Sequence, residues 1–422
     1  MSESKKEVDK GNGRNLELVS WEQSLAQPDS VNYPAERKAS LRARYVYGFI
    51  FLLTNLLAWF FRDYGDGILT ELRYLKGCQG GEECLHAEGV LRISLGCFIF
   101  FFFMFITTFR ITKFHESCNF WHTGWWSLKC ILLIASLLAS FFIPSASIHL
   151  YGEVARFGAG VFLVVQLVSV IQFINWCDSY WMRNEKLNQR FGRFSIYFFG
   201  LFLSTVAYIA AICGILVMFL KYVRGTACPI NIFFISWTIV LLLVMMIVAL
   251  HSKVNTGLLS SGIMGAYIVF LCWSAIRSEP DAQQCSMRKE MVVSNDWTTV
   301  LSFLIAISAI VMATFSTGID SQSFQFRKVG IQSEDSIPYN YGFFHIVFSL
   351  GAMYFSMLLI NWDLDHSTQK WSIDVGWAST WVKIVNEWFA ASIYLWKLVS
   401  PLLKETKNMN GGESVSNSDG ST

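Results

Sequence analysis

Seven polar side chains interrupt long apolar stretches of this sequence and are its strongest candidates for chemistry. Lys383, Asn386 and Glu387 lie close together, and the spacing between Lys383 and Glu387 puts their charges on one face of a helix. Polar groups in hydrocarbon are costly and usually face the interior of a helix bundle or a water-filled path. Two interpretations remain open: the charges neutralise each other as a structural pair, or they form a polar stripe that contacts lipid headgroups or ions.

The other four candidates are Gln166, Gln172, Asn175 and His345. Gln172 and Asn175 share a helical face, whereas Gln166 does not lie on it. Hydrogen bonds between helices are the default role of such amides in a membrane. For His345 a structural hydrogen bond is the simpler interpretation, and a proton relay is the alternative. Together the seven residues are our candidates for a path that a lipid or another polar substrate follows.

The sequence contains none of the motifs that would indicate catalysis or nucleotide binding. A phosphate-binding Gly-x-x-x-x-Gly-Lys-Ser/Thr loop, a His-Glu-x-x-His zinc motif and a Gly-x-Ser-x-Gly nucleophile motif are all missing. His115, Cys118 and His122 lie close in sequence, but a fourth ligand is not nearby and the neighbouring tryptophans are typical of a membrane interface. We therefore predict a protein that is not an enzyme, with no catalytic residue, metal or cofactor and no nucleic-acid partner.

Composition indicates where these side chains reside. Hydrophobic residues make up 53% of the chain and charged residues only 15%, below the roughly 25% of a soluble domain. The apolar residues form ten blocks, several of them near the short limit of the roughly 20 residues that a helix needs to cross a bilayer. The pattern predicts an all-α polytopic membrane protein with about ten transmembrane helices. The blocks are Tyr45–Phe61, Ile93–Phe109, Trp125–Phe142, Phe157–Cys177, Ser195–Leu220, Ile230–Leu250, Gly257–Ile276, Trp297–Ser316, Phe343–Ile360 and Gly376–Val399.

The charges outside the blocks predict the domain organisation and the topology. If the chain starts in the cytosol and crosses ten times, the cytosolic segments hold the larger share of its lysines and arginines, as the positive-inside rule requires. We therefore expect both termini in the cytosol. The prediction is a polar cytosolic tail over residues 1–43, a transmembrane domain over 44–403 and a disordered cytosolic tail over 404–422.

Four of the ten cysteines fall in loops that this topology assigns to the non-cytosolic side: Cys78, Cys84, Cys228 and Cys285. An even number of cysteines in an oxidising compartment indicates one or two disulfides. We favour the pairs Cys78–Cys84 and Cys228–Cys285, and the alternative is that the four thiols stay reduced.

One predicted helix is too long to cross the membrane upright. The segment Val161–Phe191 contains neither glycine nor proline, and as a single helix it would span about 46 Å, against a hydrocarbon core of about 30 Å. It must tilt strongly or extend into the cytosol. Its second half is amphipathic and basic, which favours contact with anionic headgroups, although an ordinary polar loop is the alternative.

Five short stretches, in order along the chain, resemble the serine incorporator (Serinc) family. They are Val90-Leu-Arg-Ile-Ser-Leu-Gly96, Phe157-Gly-Ala-Gly-Val-Phe-Leu-Val-Val-Gln166, Trp273-Ser-Ala-Ile-Arg-Ser-Glu-Pro280, Tyr339-Asn-Tyr-Gly-Phe-Phe-His-Ile-Val-Phe-Ser-Leu350 and Asp374-Val-Gly-Trp-Ala-Ser-Thr-Trp-Val-Lys383. The resemblance covers the chain from about Arg44 to Leu403 and looks closer to the plant branch. The N-terminus departs from the pattern, because residues 1–40 lack the cysteines with which family members often begin.

The resemblance implies ten helices in two subdomains divided by a long oblique helix, which we place at Phe157–Phe194. It also implies a non-catalytic carrier or scaffold that helps serine enter phosphatidylserine and sphingolipids, or alternatively an ATP-independent scramblase that moves phospholipids between leaflets. The implied partners are membrane lipids and lipid-synthesising enzymes. The implied location is the endoplasmic reticulum, the Golgi or the plasma membrane. The sequence leaves the organelle, the preferred lipid and the oligomeric state open.

Overall fold

The structure is a computed structural model that describes residues 33–65, 82–110, 117–182, 193–223, 228–251, 258–280, 297–319, 337–364 and 373–416. Within these ranges the only regular element is the α-helix, and eleven helices are present. They are α1 (Tyr33–Tyr64), α2 (Glu82–Thr108), α3 (Ser117–Thr123), α4 (Trp126–Phe141), α5 (Ser145–Met182), α6 (Arg193–Tyr222), α7 (Pro229–Leu250), α8 (Leu258–Arg277), α9 (Trp297–Ile319), α10 (Tyr341–Leu359) and α11 (Trp377–Ser416).

The helices confirm the prediction of an all-α polytopic membrane protein. Over the described ranges, seven helices are long and apolar enough to cross a membrane, namely α1, α2, α5, α6, α7, α8 and α10. Each of the ten apolar blocks overlaps one helix, and only the short α3 has no block. Helices α1, α2, α5 and α11 each extend more than ten residues beyond the predicted block at one end. Because α4, α9 and α11 lie outside the set of seven, a count of ten crossings stays a prediction.

The helices form two bundles, each with its own core. The first bundle comprises α1, α2, α3, α4, α9 and α10, and its core is rich in phenylalanine and tyrosine. The second bundle comprises α6, α7, α8 and α11, which enclose mainly aliphatic and small residues. Helix α5 packs against members of both bundles. The two predicted subdomains and the long helix that divides them are therefore present.

Helix α5 passes from one core to the other along its length. In its first half, Ile148, Tyr151 and Ala155 belong to the core of the first bundle. In its second half, Leu167 and Ile171 belong to a core of the second bundle. With 38 residues the helix is about 57 Å long, nearly twice the thickness of the hydrocarbon core.

The predicted bounds of this helix were wrong at its start. The sequence placed it at Phe157–Phe194, but the observed helix begins at Ser145, directly after Pro144. Gly152 and Gly158 are tolerated inside it because side chains of other helices pack directly onto them. Residues 183–192, which include most of the predicted amphipathic half, lie outside the described residues.

Helical structure also crosses both predicted domain boundaries. Helix α1 begins at Tyr33, within the segment predicted as an N-terminal tail, and α11 continues to Ser416, beyond the predicted start of the C-terminal tail at residue 404.

Buried arginines hold helix ends together in the first bundle. The Arg92 guanidinium donates to the carbonyl oxygens of Ser140 and Ile143 at 2.8 and 2.6 Å, where α4 ends, and to the Glu88 carboxylate at 2.5 Å. The carbonyls at a helix C-terminus have no partner within their own helix and carry a partial negative charge, which a buried cation stabilises. The start of α2 is thereby joined to the end of α4.

Close helix packing depends on individual glycines. At Gly96 in α2, an added Cβ would lie 2.7 Å from the Leu137 Cα and 3.0 Å from the Leu137 backbone nitrogen in α4. At Gly160 in α5, a Cβ would meet nothing within 4 Å. A backbone neighbour cannot rotate away as a side chain can, so only the first position requires glycine for packing.

We expect Gly96→Ala to lower the free energy of unfolding by about 1–3 kcal/mol, because α2 and α4 must move apart. The matched control is Gly160→Ala, which should leave stability unchanged or raise it slightly because alanine favours the helix. Thermal unfolding of the purified proteins in detergent, followed by tryptophan fluorescence, measures both. Equal melting temperatures for Gly96→Ala and wild type would contradict the close contact of α2 and α4.

Candidate functional site

Three polar residues from separate segments meet where α8, α10 and α11 come together, and we call them the junction cluster: Ser278, Asp374 and Lys383. The Lys383 Nζ lies 2.5 Å from Asp374 Oδ2 and donates to Ser278 Oγ at 2.5 Å. A longer bond of 3.4 Å reaches the Ser274 carbonyl oxygen in α8. The Lys383 and Asp374 side chains are 19% and 17% exposed, so the ion pair is reachable from outside the fold.

The backbone between α10 and α11 holds Asp374 in an unusual conformation. Asn361, Trp362 and Asp374 have φ angles of 54°, 61° and 59°, and Gly376 has a φ of 126°. Left-handed backbone is uncommon for residues other than glycine, and it persists only where the surrounding contacts determine it. Here the Asp374 amide donates to the Leu358 carbonyl oxygen at 3.0 Å and the Gly376 amide to the Ser278 carbonyl oxygen at 2.6 Å. The connection is thus tied to α10 on one side and to the end of α8 on the other.

Helix α5 adds a second charged pair to this end of the molecule. The Arg156 guanidinium donates to the Trp362 carbonyl oxygen at 3.0 Å and to both carboxylate oxygens of Glu153 at 2.9 and 3.0 Å. These two side chains are 38% and 48% exposed. The connection between α10 and α11 is therefore also bonded to α5, the helix that packs against both bundles.

The junction cluster can bind both signs of charge over a short distance. The Lys383 ammonium is a donor for carboxylate or phosphate oxygens, and the Asp374 carboxylate is an acceptor for an ammonium group. A hydroxyl at Ser278 completes a set that matches a zwitterion such as an amino acid or a phospholipid headgroup. These groups fit a binding role, because each of them can form a hydrogen bond or an ion pair with such a molecule.

Of the two interpretations of Lys383 and Glu387, the structural pair was wrong, and the polar stripe that contacts lipid headgroups or ions stays a prediction. Both residues do lie on one side of α11, but Lys383 pairs with Asp374, whereas Glu387 points into the second bundle and is 1% exposed. Its Oε1 lies 2.7 Å from Thr238 Oγ1 of α7, and its Oε2 is buried without a hydrogen-bond partner. The spacing of Lys383 and Glu387 predicted that they share a helical face, but residues outside α11 determine what each of them binds.

The three amides predicted on the long helix do not converge on the junction cluster. Asn175 donates to the Ile171 carbonyl oxygen of its own helix at 2.6 Å, so it forms a local bond instead of an interhelical one. Gln166, Gln172 and Asn386 are each half-buried. Their part in a substrate path stays a prediction.

His345 belongs to a separate polar network in the first bundle. Its Nε2 lies 3.1 Å from His122 Nδ1, and His122 Nε2 lies 3.0 Å from the Tyr339 hydroxyl. The Tyr339 hydroxyl donates to the Ser40 carbonyl oxygen at 3.1 Å. All four residues are buried, and they link α1, α3 and α10. His345 thus lies at one end of a chain of buried hydrogen bonds.

Lys129 neighbours this network and is fully buried. Its Nζ donates to the carbonyl oxygens of His122 and Gly124, at 2.9 and 2.6 Å, and it lies 4.4 Å from the centre of the Trp126 ring. Carbonyl oxygens and aromatic faces both stabilise a cation. Among the described residues there is no group of three or more His, Cys, Asp or Glu side chains that could hold a metal ion.

Of the four cysteines predicted to form disulfides, only Cys228 has a described side chain, and it is disulfide-bonded. Cys78 and Cys285 lie outside the described residues, and Cys84 has no described side chain. The pairings Cys78–Cys84 and Cys228–Cys285 therefore stay predictions.

Asp374, Ser278 and Thr238 were missed as site residues by sequence reasoning. Asp374 and Ser278 precede and follow apolar blocks, where a polar residue is ordinary, and nothing in their spacing predicts a contact with Lys383. A signal was nevertheless present, because both lie in stretches through which the sequence resembles a known family. Two of those stretches, Trp273–Pro280 and Asp374–Lys383, meet at the junction cluster.

Glu279, beside the cluster and just beyond α8, is also buried. Removal from water raises the pKa of this carboxyl to about 7, although a hydrogen bond from Asn231 acts in the opposite direction. A carboxyl whose pKa is raised in the folded state stabilises the fold most below its ordinary pKa near 4.5, and this contribution is lost as the pH rises to about 7.

We therefore expect Glu279→Gln to be more resistant to unfolding than wild type at pH 8 and to show a shallower loss of stability between pH 5 and pH 8. Melting temperatures measured across that range test it. The control is the same substitution at the exposed Glu153, which should leave the wild-type pH profile unchanged. If the melting temperature of Glu279→Gln falls as steeply with pH as that of wild type, the raised pKa of Glu279 would be refuted.

Comparison with known proteins connects this geometry to a family. The sequence model described as "Serine incorporator (Serinc)" matches residues 30–329 and 325–407. Serine incorporator 3 of Bos taurus is 22% identical, covering 88% of this chain and 93% of the relative. The probable serine incorporator of Dictyostelium discoideum is 28% identical, covering 78% of this chain and 84% of the relative. Serine incorporator 5 of Danio rerio is 23% identical, covering 87% and 92%.

The family match extends over both bundles and over the connection that carries Asp374. An all-helical fold with many apolar helices agrees with it. This chain belongs to the serine incorporator family.

Proposed function

We propose that the protein is a non-enzymatic membrane carrier or scaffold that facilitates the incorporation of serine into membrane lipids, with the junction cluster as its serine-binding site. The observation that carries the proposal is the partly exposed Lys383–Asp374 ion pair beside the Ser278 hydroxyl. The name of the relatives, serine incorporator, supports the same substrate.

The chemistry of serine fits the three groups of the cluster. The serine carboxylate would accept from the Lys383 ammonium, and the serine ammonium would donate to the Asp374 carboxylate. Ser278 would hydrogen-bond the substrate hydroxyl. The carboxylate and ammonium of the substrate would replace the partners that Lys383 and Asp374 lose when their ion pair opens, so both charges stay compensated.

The proposed orientation in the membrane follows from the distribution of lysines and arginines along the chain. Both termini would lie in the cytosol of an endomembrane or of the plasma membrane, and α11 would then begin on the non-cytosolic side. The partners would be phosphatidylserine, sphingolipids and the enzymes that consume serine to make them.

A second candidate, an ATP-independent phospholipid scramblase, is favoured by the surface of α5. Phe157 of its first half is 76% exposed, and Phe173 and Trp176 of its second half are 59% and 57% exposed. The helix thus offers apolar surface on both bundles, with the exposed Arg156–Glu153 pair at one end. A lipid could keep its acyl chains on this surface while its headgroup exchanges between charged side chains.

We expect purified wild-type protein to bind radiolabelled serine, and Lys383→Met and Asp374→Asn each to weaken binding about tenfold or more, since each removes a charge-assisted hydrogen bond worth about 1.5–3 kcal/mol. Scintillation proximity with the protein in nanodiscs measures this. Lys221→Met, which removes an exposed lysine at the end of α6, is the control and should bind as wild type does. Unchanged affinity in both cluster variants would exclude this site.

The scramblase alternative is tested in liposomes that carry fluorescent phosphatidylserine in both leaflets. If the protein scrambles lipid, an external reductant bleaches the protected inner half without ATP, and Arg156→Gln slows that loss. Lys221→Met is the control, because it removes an exposed lysine at the end of α6, and this variant should bleach at the wild-type rate. If the fluorescence of the inner leaflet persists and the protein still binds serine, the carrier function is favoured over the scramblase.

A further inference from the structure

A second ionisable group, Glu387, is buried deeper than the junction cluster. It lies ten residues into α11, about 15 Å from the start of that helix. Its side chain is 1% exposed and faces α7 and α8.

The hydrogen bonds around Glu387 can be counted atom by atom. Thr238 Oγ1 has one proton, and it lies 2.8 Å from the Phe234 carbonyl oxygen and 2.7 Å from Glu387 Oε1. An ionised carboxylate could share only that one proton, and its Oε2 would be a buried charged atom with no donor. An isolated buried charge is among the costliest features that a fold can contain.

A protonated carboxyl satisfies the same contacts without that cost. The Glu387 O–H donates to Thr238 Oγ1, and the Thr238 hydroxyl donates to the Phe234 carbonyl oxygen, which is the usual bond of a helical threonine. Both short contacts are then hydrogen bonds. The atom that stays without a partner is a neutral carbonyl oxygen.

Charged groups that could compensate an ionised Glu387 are directed elsewhere. The described helix α7 contains no titratable side chain, and α8 contributes the Cys272 thiol, which lies within electrostatic reach, together with Tyr267 and Arg277, whose guanidinium stacks on Trp273.

The remaining groups belong to α11 itself and to α5. Lys383, one turn before Glu387, is held by Asp374 and Ser278, and Lys397 lies almost three turns beyond it. On α5, Asp178 interacts with Tyr394, about two turns beyond Glu387, and the Glu153–Arg156 pair is near the opposite end of that helix.

We propose that Glu387 is a proton-binding site of the second bundle: a carboxyl that carries a proton in this packing and releases it only when α7 and α11 separate enough to admit water. The surface of the fold comes within one turn of Glu387, because Lys383 is 19% exposed. Proton release and opening of the α7–α11 contact are linked equilibria, so each favours the other. This site does not depend on whether the protein carries serine.

Infrared spectroscopy of wild-type protein in nanodiscs at neutral pH tests the proposal directly, because a protonated carboxyl has a carbonyl stretch that a carboxylate lacks. The spectrum of wild type minus that of Glu387→Gln should contain one positive band of this kind. The wild type minus Glu153→Gln difference, which removes an exposed ion-paired carboxylate, should contain none. A Glu387 difference with carboxylate bands only would overturn the proposal.

A second variant keeps the test decisive if Glu387→Gln does not fold. Thr238→Val removes the acceptor of the Glu387 proton, and we expect the same carbonyl band to move to the frequency of a carboxyl without a hydrogen bond. Recording wild type in sodium-free and sodium-containing buffer separates a proton from a metal cation. A band that disappears when sodium is added would show that the site binds the cation instead, and the assignment to a proton would be wrong.

Discussion

A polar group that this chain buries in its apolar interior is costly unless it has a partner within the protein, because hydrocarbon offers none. The rule explains the most buried charges of the first bundle. Arg92 donates to the carbonyl oxygens at the end of α4, and Lys129 to carbonyl oxygens at the end of α3 and just beyond it. In both cases a cation meets the carbonyl oxygens at a helix C-terminus, where the backbone fixes the position of the partner.

The two bundles differ in the kind of partner that their buried charges have. In the first bundle the buried cations Arg92 and Lys129 are bonded to backbone carbonyl oxygens at helix ends, so this half is well suited to be a rigid frame. In the second bundle, and where it meets the first, charges are held by other side chains, at Lys383 and Asp374 and at Glu387 and Thr238. Bonds between side chains can be exchanged for bonds to a substrate or to a proton, whereas bonds to a helix end cannot be exchanged without moving the helix.

How far the sequence predicts this structure differs from feature to feature. Apolar blocks identify the helices because crossing a membrane requires long apolar segments, and spacing alone places Lys383 and Glu387 on one side of α11. The partner Asp374 could not be predicted, since it depends on a connection with three non-glycine residues in left-handed conformations, which tertiary contacts impose. The start of α5 was missed because Gly152 weakens a helix in sequence terms, although here it admits the side chains of Leu91 and Leu364.

The chain of hydrogen bonds at His345 has a direction. The single proton of the Tyr339 hydroxyl is given to the Ser40 carbonyl oxygen, so neutral His122 must carry its hydrogen on Nε2 and accept at Nδ1. His345 must then carry its hydrogen on Nε2, which leaves the lone pair of its buried Nδ1 without a donor. The tautomers of both imidazoles are therefore dictated by one tyrosine on the far side of the network. Exchanging that tyrosine for phenylalanine would free the two rings to reverse their polarity together.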